Sequence, residues 1–247
     1  MEVYEYATMR GVEDNYWWYH GLRSLVVGLA ASHLNGRSWM MLDAGCGTGG
    51  QMAALRQSFP SIKMMGIDIS PEALKFTSER GAQNLAAASA GELPYPASQF
   101  EAVVSLDVLD SPGLGLAVGL REIARVLKPG GYLLLNLPAF PELAGQHDVA
   151  VKIDKRYRLP EILAELKKAG LSPVKAFYWN SALFLPAYLF RRLRRRPEGE
   201  APTSDLFQLP ALLNALLKLW ISFEVRLSPR LNIPFGTSAF VLARRSS

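Results

Sequence analysis

The chain has little of what several common protein classes depend on. Its 247 residues include one cysteine, Cys46, which excludes an internal disulfide and is typical of a reducing compartment. No apolar run reaches the roughly 18–20 residues that a membrane-spanning helix needs. The opening of the chain is polar and partly acidic, which is not the pattern of a secretion signal. We therefore expect a cytoplasmic protein.

Motifs for several catalytic mechanisms are also absent. The sequence has no Cys/His pair at zinc spacing, no H-E-x-x-H, no G-x-S-x-G and no phosphate-binding P-loop, so it predicts no metal site. The net charge of +5 is modest, and five arginines lie in one short segment without interleaved aromatic residues. This pattern does not favour nucleic acid as a partner.

The most informative segment runs from Met40 to Gly50, where an apolar stretch ends in Asp43 and passes into closely spaced glycines. Glycine can take positive φ and lets another group approach the backbone closely. The pattern predicts a buried strand that turns sharply into a helix, with backbone amides left free at the helix start. Asp43 would stand at the carboxyl end of that strand, where open α/β sheets bind ligands.

Two cofactors fit the glycine spacing. Gly45, Gly47 and Gly50, followed by Asp68, match the G-x-G-x-x-G pattern of dinucleotide binders. The same turn also reads as D-x-G-x-G-x-G, beginning at Asp43. A carboxylate there would repel a pyrophosphate and attract a cationic amino acid group. The second interpretation favours S-adenosylmethionine, and a nicotinamide-dependent oxidoreductase is the alternative.

Five segments in one order carry a resemblance to a known family. They are residues 40–49, 65–70, 92–105, 106–110 and 121–131. Together they resemble the class I S-adenosylmethionine-dependent methyltransferases, of the small-molecule or lipid type with a methyltransferase-11-like domain, over roughly the first two thirds of the chain. The resemblance implies S-adenosylmethionine as the cofactor and S-adenosylhomocysteine as the product.

The alternation of strands and helices predicts an α/β fold with a mostly parallel, doubly wound sheet. The resemblance implies a Rossmann-like sheet of seven strands whose last strand is antiparallel. We expect one methyltransferase domain over residues 1–247. It would comprise an N-terminal helical lid (1–35), a cofactor-binding core (36–180), an apolar helical insertion (181–235) and the last strand (236–247).

The resemblance also assigns cofactor contacts by position. Asp68 would accept hydrogen bonds from the ribose hydroxyls, and Ile69 would lie against the adenine. Ser89 and Ala90 would border the adenine edge, and the Leu106 carbonyl would face the cofactor's ammonium. The complete predicted set is Asp43, Gly45, Cys46, Gly47, Gly49, Asp68, Ile69, Ser89, Ala90 and Leu106.

Residues for catalysis are less clearly encoded. A sulfonium is an activated methyl donor, so a general base is needed only for an acceptor whose proton has a high pKa. His147 and Asp148, in the loop 138–158, are one candidate for a base or for binding an acceptor headgroup; a loop histidine that only caps or solvates is the alternative. Tyr19 and His20, in an N-terminal aromatic cluster, are the second candidate, with packing as their alternative.

The segment before the last strand gives the protein its individual character. Residues 182–190 are apolar and run into the arginines of 191–196, and residues 206–227 form a second apolar stretch. Such a segment suits a pocket lid, a homodimer face or, through 182–196, peripheral contact with an anionic membrane at its inner face. We therefore predict methylation of oxygen, nitrogen or carbon on a small or lipid-like hydrophobic acceptor.

Two positions depart from the family pattern. Ser89 stands where relatives often carry an acidic residue, and Ser111 stands where they often carry histidine. A serine accepts a hydrogen bond more weakly than a carboxylate does. These departures motivate one further alternative, a cofactor-binding scaffold that has lost catalysis.

Overall fold

Strands and helices alternate along the protein, for which a computed structural model describes residues 3–34, 39–193, 209–231 and 233–246. The strands are β1 (Met40–Ala44), β2 (Lys63–Asp68), β3 (Leu85–Ala87), β4 (Phe100–Leu106), β5 (Leu127–Pro138), β6 (Leu171–Trp179) and β7 (Ser238–Arg245). The helices are α1 (Val3–Val12), α2 (Trp17–His33), α3 (Gly50–Ser58), α4 (Pro71–Glu79), α5 (Leu116–Val126), α6 (Gln146–Val151), α7 (Leu159–Lys168), α8 (Phe184–Leu193) and α9 (Ala211–Leu227), with a 3₁₀ turn at Pro141–Leu143.

The seven strands form one sheet in the order β3-β2-β1-β4-β5-β7-β6. The strands from β3 to β5 pair in parallel, and β7 runs antiparallel between β5 and β6. The predicted fold class is confirmed. Because β1 and β4 are central and parallel, their carboxyl ends and those of β2 and β3 meet at one edge of the sheet, where such folds bind ligands.

Two apolar clusters cover the two faces of the sheet. One lies under α5 and α7, and the other lies under α2, α3 and α9. Apolar residues of α2 recur at helical spacing and are buried; they are Leu22, Leu25, Val26, Leu29 and Ala30. The segment 1–35 was predicted as a lid, but among its described residues α2 is a core helix; for α1 the lid stays a prediction.

Turn-forming or loop-like residues adopt regular structure at two places. The Lys128–Gly131 segment lies within β5, between Leu127, which pairs with Phe100 of β4, and Tyr132, which pairs with Ala102. Gly130 has a φ of 77°, which lets the strand continue through the turn-forming residues. The expected loop 138–158 contains the 3₁₀ turn and α6, since its apolar Leu143 and Ala150 are buried.

Candidate active site

The turn from β1 into α3 depends on glycine for both its conformation and its space. Gly45, Gly47 and Gly49 have φ values of 92°, 53° and 81°. A Cβ at Gly45 would lie 2.2 Å from Cγ2 of Val108, which follows β4. Side-chain-bearing residues rarely adopt such φ values, so the spacing recognised in the sequence is a conformational requirement.

Three backbone amides in the first part of this turn are hydrogen-bonded within the protein. Gly45 and Cys46 both donate to the carbonyl of Ile67, at 2.9 and 2.8 Å. Gly47 donates to Oδ2 of Asp68 at 2.9 Å. The turn folds back onto the end of β2, and the Gly47 amide positions the Asp68 carboxylate. The free amides expected at the start of α3 stay a prediction, because these three bonds lie before that helix.

Two buried carboxylates lie at this edge of the sheet. Asp43 is 2% exposed, and its Oδ2 has no hydrogen-bond partner among the described residues. Burial, and then the charge of Asp68, raises the pKa of Asp43 to about 7. A buried carboxylate without a partner is costly, which is the arrangement expected where a cationic group is to be received.

Asp68 is held from several directions. Its carboxylate accepts hydrogen bonds from the Gly47 and Ser70 amides, both at 2.9 Å, and from the Tyr6 hydroxyl at 3.4 Å. Burial raises the pKa of Asp68, and these hydrogen bonds oppose that rise. The side chain is therefore fixed in orientation before any ligand arrives.

The remaining predicted cofactor residues lie at or just beyond the ends of their strands. Ile69 is 77% exposed, so it is not a core residue and offers an apolar surface beside Asp68. The hydroxyl of Ser89 accepts a hydrogen bond from the Gly91 amide at 3.1 Å, and Ala90 is buried. Leu106 ends β4 and is followed by Asp107 at a φ of 54°. Their contacts with a cofactor stay a prediction.

Cys46 is buried in the turn, as its sequence position suggested. Its Sγ lies 3.9 Å from the Thr77 hydroxyl. Burial raises the pKa of the Cys46 thiol, with the charges of Asp43 and Asp68 acting in the same direction. A thiol held in its neutral form is a poor nucleophile, so the structure favours packing and backbone contact for this residue.

Helix α1 lies across the glycine turn, a contact that sequence reasoning missed. The Tyr6 side chain is buried against Asp68, and Cε of Met9 lies 3.4 Å from where a Cβ on Gly47 would stand. Tyr6 and Gly47 are far apart along the chain, and no local signal links them. α1 therefore covers the glycine turn, and its use as a lid stays a prediction.

A buried ionic cluster holds the end of α1 in place. Glu13 is 1% exposed and accepts hydrogen bonds from the Thr48 hydroxyl at 2.5 Å and from Arg80 at 2.6 Å. Arg80 also donates to the exposed Asp14, and Arg23 donates to the Glu13 carbonyl at 2.7 Å. Thr48 belongs to the glycine turn, so Glu13 connects the lid directly to the turn.

Replacement of Glu13 by alanine is expected to loosen α1. The variant leaves the buried Thr48 hydroxyl without its acceptor and removes a buried partner of Arg80, which should cost about 2–4 kcal/mol of unfolding free energy. Trypsin should then cut at Arg10 in α1 faster than in the parent. Asp14→Ala is the matched control, because its ion pair with Arg80 is half exposed on the Asp14 side and should be worth less than about 1 kcal/mol. Equal cleavage rates in the two variants would contradict the role assigned to Glu13.

Tyr19 and His20 lie in the aromatic cluster at the start of α2. Burial, with the charges of Glu13 and Asp107, raises the pKa of Tyr19 well above its usual range, so its hydroxyl is a donor and not a base at neutral pH. His20 Nε2 lies 2.9 Å from the Ser222 hydroxyl on α9. Burial lowers the pKa of His20, with nearby positive charges acting in the same direction, so the ring is neutral. A catalytic role for either residue stays a prediction.

His147 and Asp148 lie on α6 and not in an irregular loop. Both oxygens of Asp148 accept hydrogen bonds from Arg156, at 2.6 and 2.7 Å, and both side chains are buried. Arg156 also donates to the Ala139 carbonyl at 3.2 Å. Arg156 thus occupies both carboxylate oxygens of Asp148, and this geometry gives no support for proton transfer by Asp148. The predicted catalytic role of His147 is left untested by these contacts.

A second group of carboxylates lies just beyond β4 and was not singled out from the sequence. Asp107 accepts from Nδ2 of Asn136, which lies 3.0 Å from each carboxylate oxygen, and Oδ1 of Asn136 accepts from the Trp179 indole at 2.8 Å. Asp110 is 3% exposed, and its Oδ1 has no partner among the described residues. Burial, and then Asp107, raises the pKa of Asp110. The raised pKa favours the neutral form of Asp110, in which the carboxyl group can donate a hydrogen bond.

Comparison with known proteins supports the resemblance to methyltransferases independently of the structure. Residues 42–135 match the family described as a methyltransferase domain. The chain is 32% identical over 201 residues to a demethylmenaquinone methyltransferase of Chlorobaculum tepidum, a match that covers 78% of this chain and 72% of that protein. It is 35% identical over 101 residues to a fatty-acid O-methyltransferase of Mycolicibacterium smegmatis, covering 38% of this chain and 35% of that protein. The chain thus spans about a third of the latter relative's length.

Solved structures share the fold. A geranyl diphosphate C-methyltransferase from Streptomyces coelicolor, in complex with Mg²⁺, geranyl diphosphate and S-adenosylhomocysteine, superposes with a TM-score of 0.61. The match covers 93% of this chain and 81% of that one at 17% sequence identity. At this identity the likeness shows the architecture alone.

Proposed function

The chain belongs to the class I S-adenosylmethionine-dependent methyltransferases, and on that premise we propose that it methylates oxygen, nitrogen or carbon of a small or lipid-like hydrophobic acceptor. The methyltransferase activity and the cofactor follow from family membership. The acceptor is the new part of the proposal. It is supported by the names of the two relatives, which specify a fatty acid and a demethylated menaquinone, both largely apolar molecules.

The residues present at the sheet edge fit the cofactor. S-adenosylmethionine supplies an electrophilic methyl group on a positively charged sulfur. We propose that the partnerless oxygen of Asp43 faces the cationic amino acid part, and that Asp68 accepts the ribose hydroxyls. The exposed Ile69 would cover the adenine, and Ser89, Ala90 and the Leu106 carbonyl would complete the site. The burial of Asp43 without a hydrogen-bond partner for Oδ2 is the single observation that carries this assignment. A cationic group of the cofactor would supply the partner that the described residues do not.

The acceptor side would lie between α1, the start of α2 and the segment 138–158. We propose that Tyr19 and His20 line it, with His147 as the base where the acceptor needs one. Asp110 is buried beside Asp107, its Oδ1 has no partner among the described residues, and in its neutral form it would hold an acceptor oxygen by donating to it. Loss of catalysis remains the alternative that Ser89 and Ser111 motivated.

Location and assembly are part of the same proposal. We propose a cytoplasmic enzyme that contacts the inner face of a membrane peripherally, with the homodimer as the competing use of its exposed apolar surface. In the segment 182–196, α8 exposes Leu185, Leu189 and Phe190, whereas residues 194–196 lie outside the described part of the chain. No helix among the described residues is long and apolar enough to cross a bilayer.

Transfer of a labelled methyl group tests the proposed acceptor class. The purified protein would be incubated with methyl-labelled S-adenosylmethionine and, separately, a total lipid extract, a water-soluble metabolite extract and bulk tRNA. We expect label in the organic phase of the lipid reaction, and none with Asp43→Asn. Asp14→Asn, a change at an exposed site, should retain full transfer. Label only in tRNA would refute the acceptor class, and no label in any fraction would favour the inactive scaffold.

A further inference from the structure

Helix α9 has two faces of opposite kind. Leu212, Leu216, Leu219 and Phe223 are spaced three or four residues apart, so they share one face, and all are between 56% and 75% exposed. Trp220, at 48% exposure, borders them. Large apolar side chains in a contiguous stripe on a protein surface mark a contact that the free protein does not satisfy.

The opposite face of α9 is fixed to the protein body. Ile221 and Val225 are buried, and a Cβ on Gly21 of α2 would lie 2.5 Å from Ile221. Asn214 accepts from the Trp17 amide at 3.0 Å and donates to the Asn15 carbonyl at 2.8 Å. The helix therefore cannot turn its apolar stripe inward without breaking the core contact and both hydrogen bonds.

The charges beside the stripe are of one sign. Within the described residues of 181–235, Glu224 is the single acidic residue, and it is 4% exposed and accepts from the Ser181 amide and hydroxyl at 2.6 and 3.0 Å. Arg192, Arg226 and Arg230 are exposed. Where the described residues of this segment carry exposed charge, the charge is positive, and an apolar stripe beside positive charge is complementary to an anionic lipid surface.

A second copy of the chain fits this surface less well. A two-fold contact through α9 would place the same surface on both sides, and the described residues of 181–235 offer no exposed acidic side chain to pair with the partner copy's arginines. Trp220 also favours a bilayer over a second copy of the chain, because an indole with an apolar ring and a polar N–H suits the boundary between acyl chains and headgroups. Its N–H here donates to Glu224 at 3.2 Å.

We propose that α9 lies in the surface of an anionic bilayer, with the stripe Leu212, Leu216, Leu219, Trp220 and Phe223 among the acyl chains and the arginines near the headgroups. This inference rests on the proposed function, because it names the surface from which a lipid-like acceptor would be taken. α9 also contacts His20 through Ser222, so the docked face lies one helix away from the proposed acceptor side. The expectation from the sequence placed the contact at 182–196; the structure assigns the larger share to α9.

Vesicle co-sedimentation of the full chain tests this docking surface. We expect the parent protein to bind vesicles of mixed phosphatidylglycerol and phosphatidylcholine at least about tenfold more tightly than pure phosphatidylcholine vesicles. Leu216→Glu combined with Leu219→Glu should weaken binding to both compositions by about tenfold or more, because two charges would enter the apolar layer. Both side chains are largely exposed, so folding, checked by circular dichroism and thermal unfolding, should be unchanged.

Charge reversal separates the electrostatic part of the contact. Arg226→Glu with Arg230→Glu should remove the preference for anionic vesicles, and Arg121→Glu, at an exposed position of α5, should not. Trp220→Phe should abolish the blue shift of tryptophan fluorescence that vesicles induce in the parent. Equal binding by the parent and the Leu216/Leu219 variant would overturn the proposal, as would a concentration-dependent dimer that those same substitutions dissociate.

A failure of the proposed docking surface can be distinguished from a failure of the proposed function. Methyl transfer to a detergent-solubilised lipid extract does not require a bilayer. Transfer without vesicle binding would overturn the docking surface alone. Vesicle binding that follows the expected variant pattern, without transfer to any acceptor, would support the surface and refute the acceptor class.

Discussion

The Asp43→Asn protein is expected to bind S-adenosylmethionine at least about 30-fold more weakly than the parent, while unfolding at a higher temperature. The loss follows from removing the charge that we assign to the cationic part of the cofactor, a contact worth about 2 kcal/mol or more in a buried site. The gain follows because the parent must bury a carboxylate whose Oδ2 has no partner among the described residues. Calorimetric titration and thermal unfolding of the cofactor-free protein measure the two effects.

The sign of the pH dependence is set by the raised pKa of Asp43. Its pKa is about 7 in the folded protein, against an ordinary value of 3.8 for an aspartate in an unfolded chain, so the folded state binds this proton more tightly than the unfolded state does. Stability from this group is therefore present at pH values near or below 4 and is lost as the pH rises towards and past 7. Asp43→Asn should stabilise the protein by up to about 4 kcal/mol at pH 8 and by less than about half of that at pH 5.

In the parent protein, cofactor affinity should rise with pH, whereas the stability that Asp43 contributes falls. Ionised Asp43 attracts the cation, so affinity should rise between pH 6 and pH 8, and the variant should lack this rise. Asp14→Asn, at a half-exposed carboxylate that forms ion pairs with Arg10 and Arg80, should change neither quantity by more than a small fraction. A variant that keeps parental affinity at pH 8 would remove Asp43 from the cofactor site, whatever its effect on stability.

Replacement of Arg156 by leucine is expected to destabilise the protein by about 3–5 kcal/mol, because Asp148 would be left as a buried charge without its bidentate partner. Arg156 also lowers the pKa of Asp107 and Asp110 against the effect of burial, so its loss would make both carboxyls harder to ionise. Urea unfolding monitored by circular dichroism measures the loss.

Lys155, the residue before Arg156, provides the control for this experiment. Lys155 pairs with Glu161 at 3.0 Å, and both side chains are about half exposed, so Lys155→Leu should cost less than about 1 kcal/mol. Asp148→Leu combined with Arg156→Leu should recover part of the loss, since no unpaired charge remains. A double variant less stable than Arg156→Leu alone would show that Asp148 has another partner.

The backbone around the predicted cofactor site follows from local signals. Gly45, Gly47 and Gly49 are separated by fixed short steps, and the φ of each is a property of the turn itself. Asp43 lies one residue before the end of β1 and Asp68 ends β2, so their meeting at one sheet edge follows once the sheet is parallel. The hydrogen bonds of the Gly45 and Cys46 amides did not follow, because their acceptor is the Ile67 carbonyl of a neighbouring strand.

Other features depend on pairs far apart in the chain. The contact between Glu13 and Thr48 spans 35 positions, and nothing near either residue marks the other as its partner. His147 and Asp148 suggest a catalytic pair as neighbours in sequence, yet the ion pair with Arg156 engages Asp148 instead.

By itself the sequence determined the order of strands and helices, the glycine turn and the class of cofactor, because hydrophobic periodicity, glycine conformation and a carboxylate's charge act over a few residues. Only the tertiary structure decided which apolar helix face is buried. α2 and α9 both carry apolar residues at helical spacing, but the stripe of α2 faces the sheet while Leu212, Leu216 and Leu219 of α9 face outward. Burial is a property of what packs against a helix, and amphipathic spacing alone does not specify the partner.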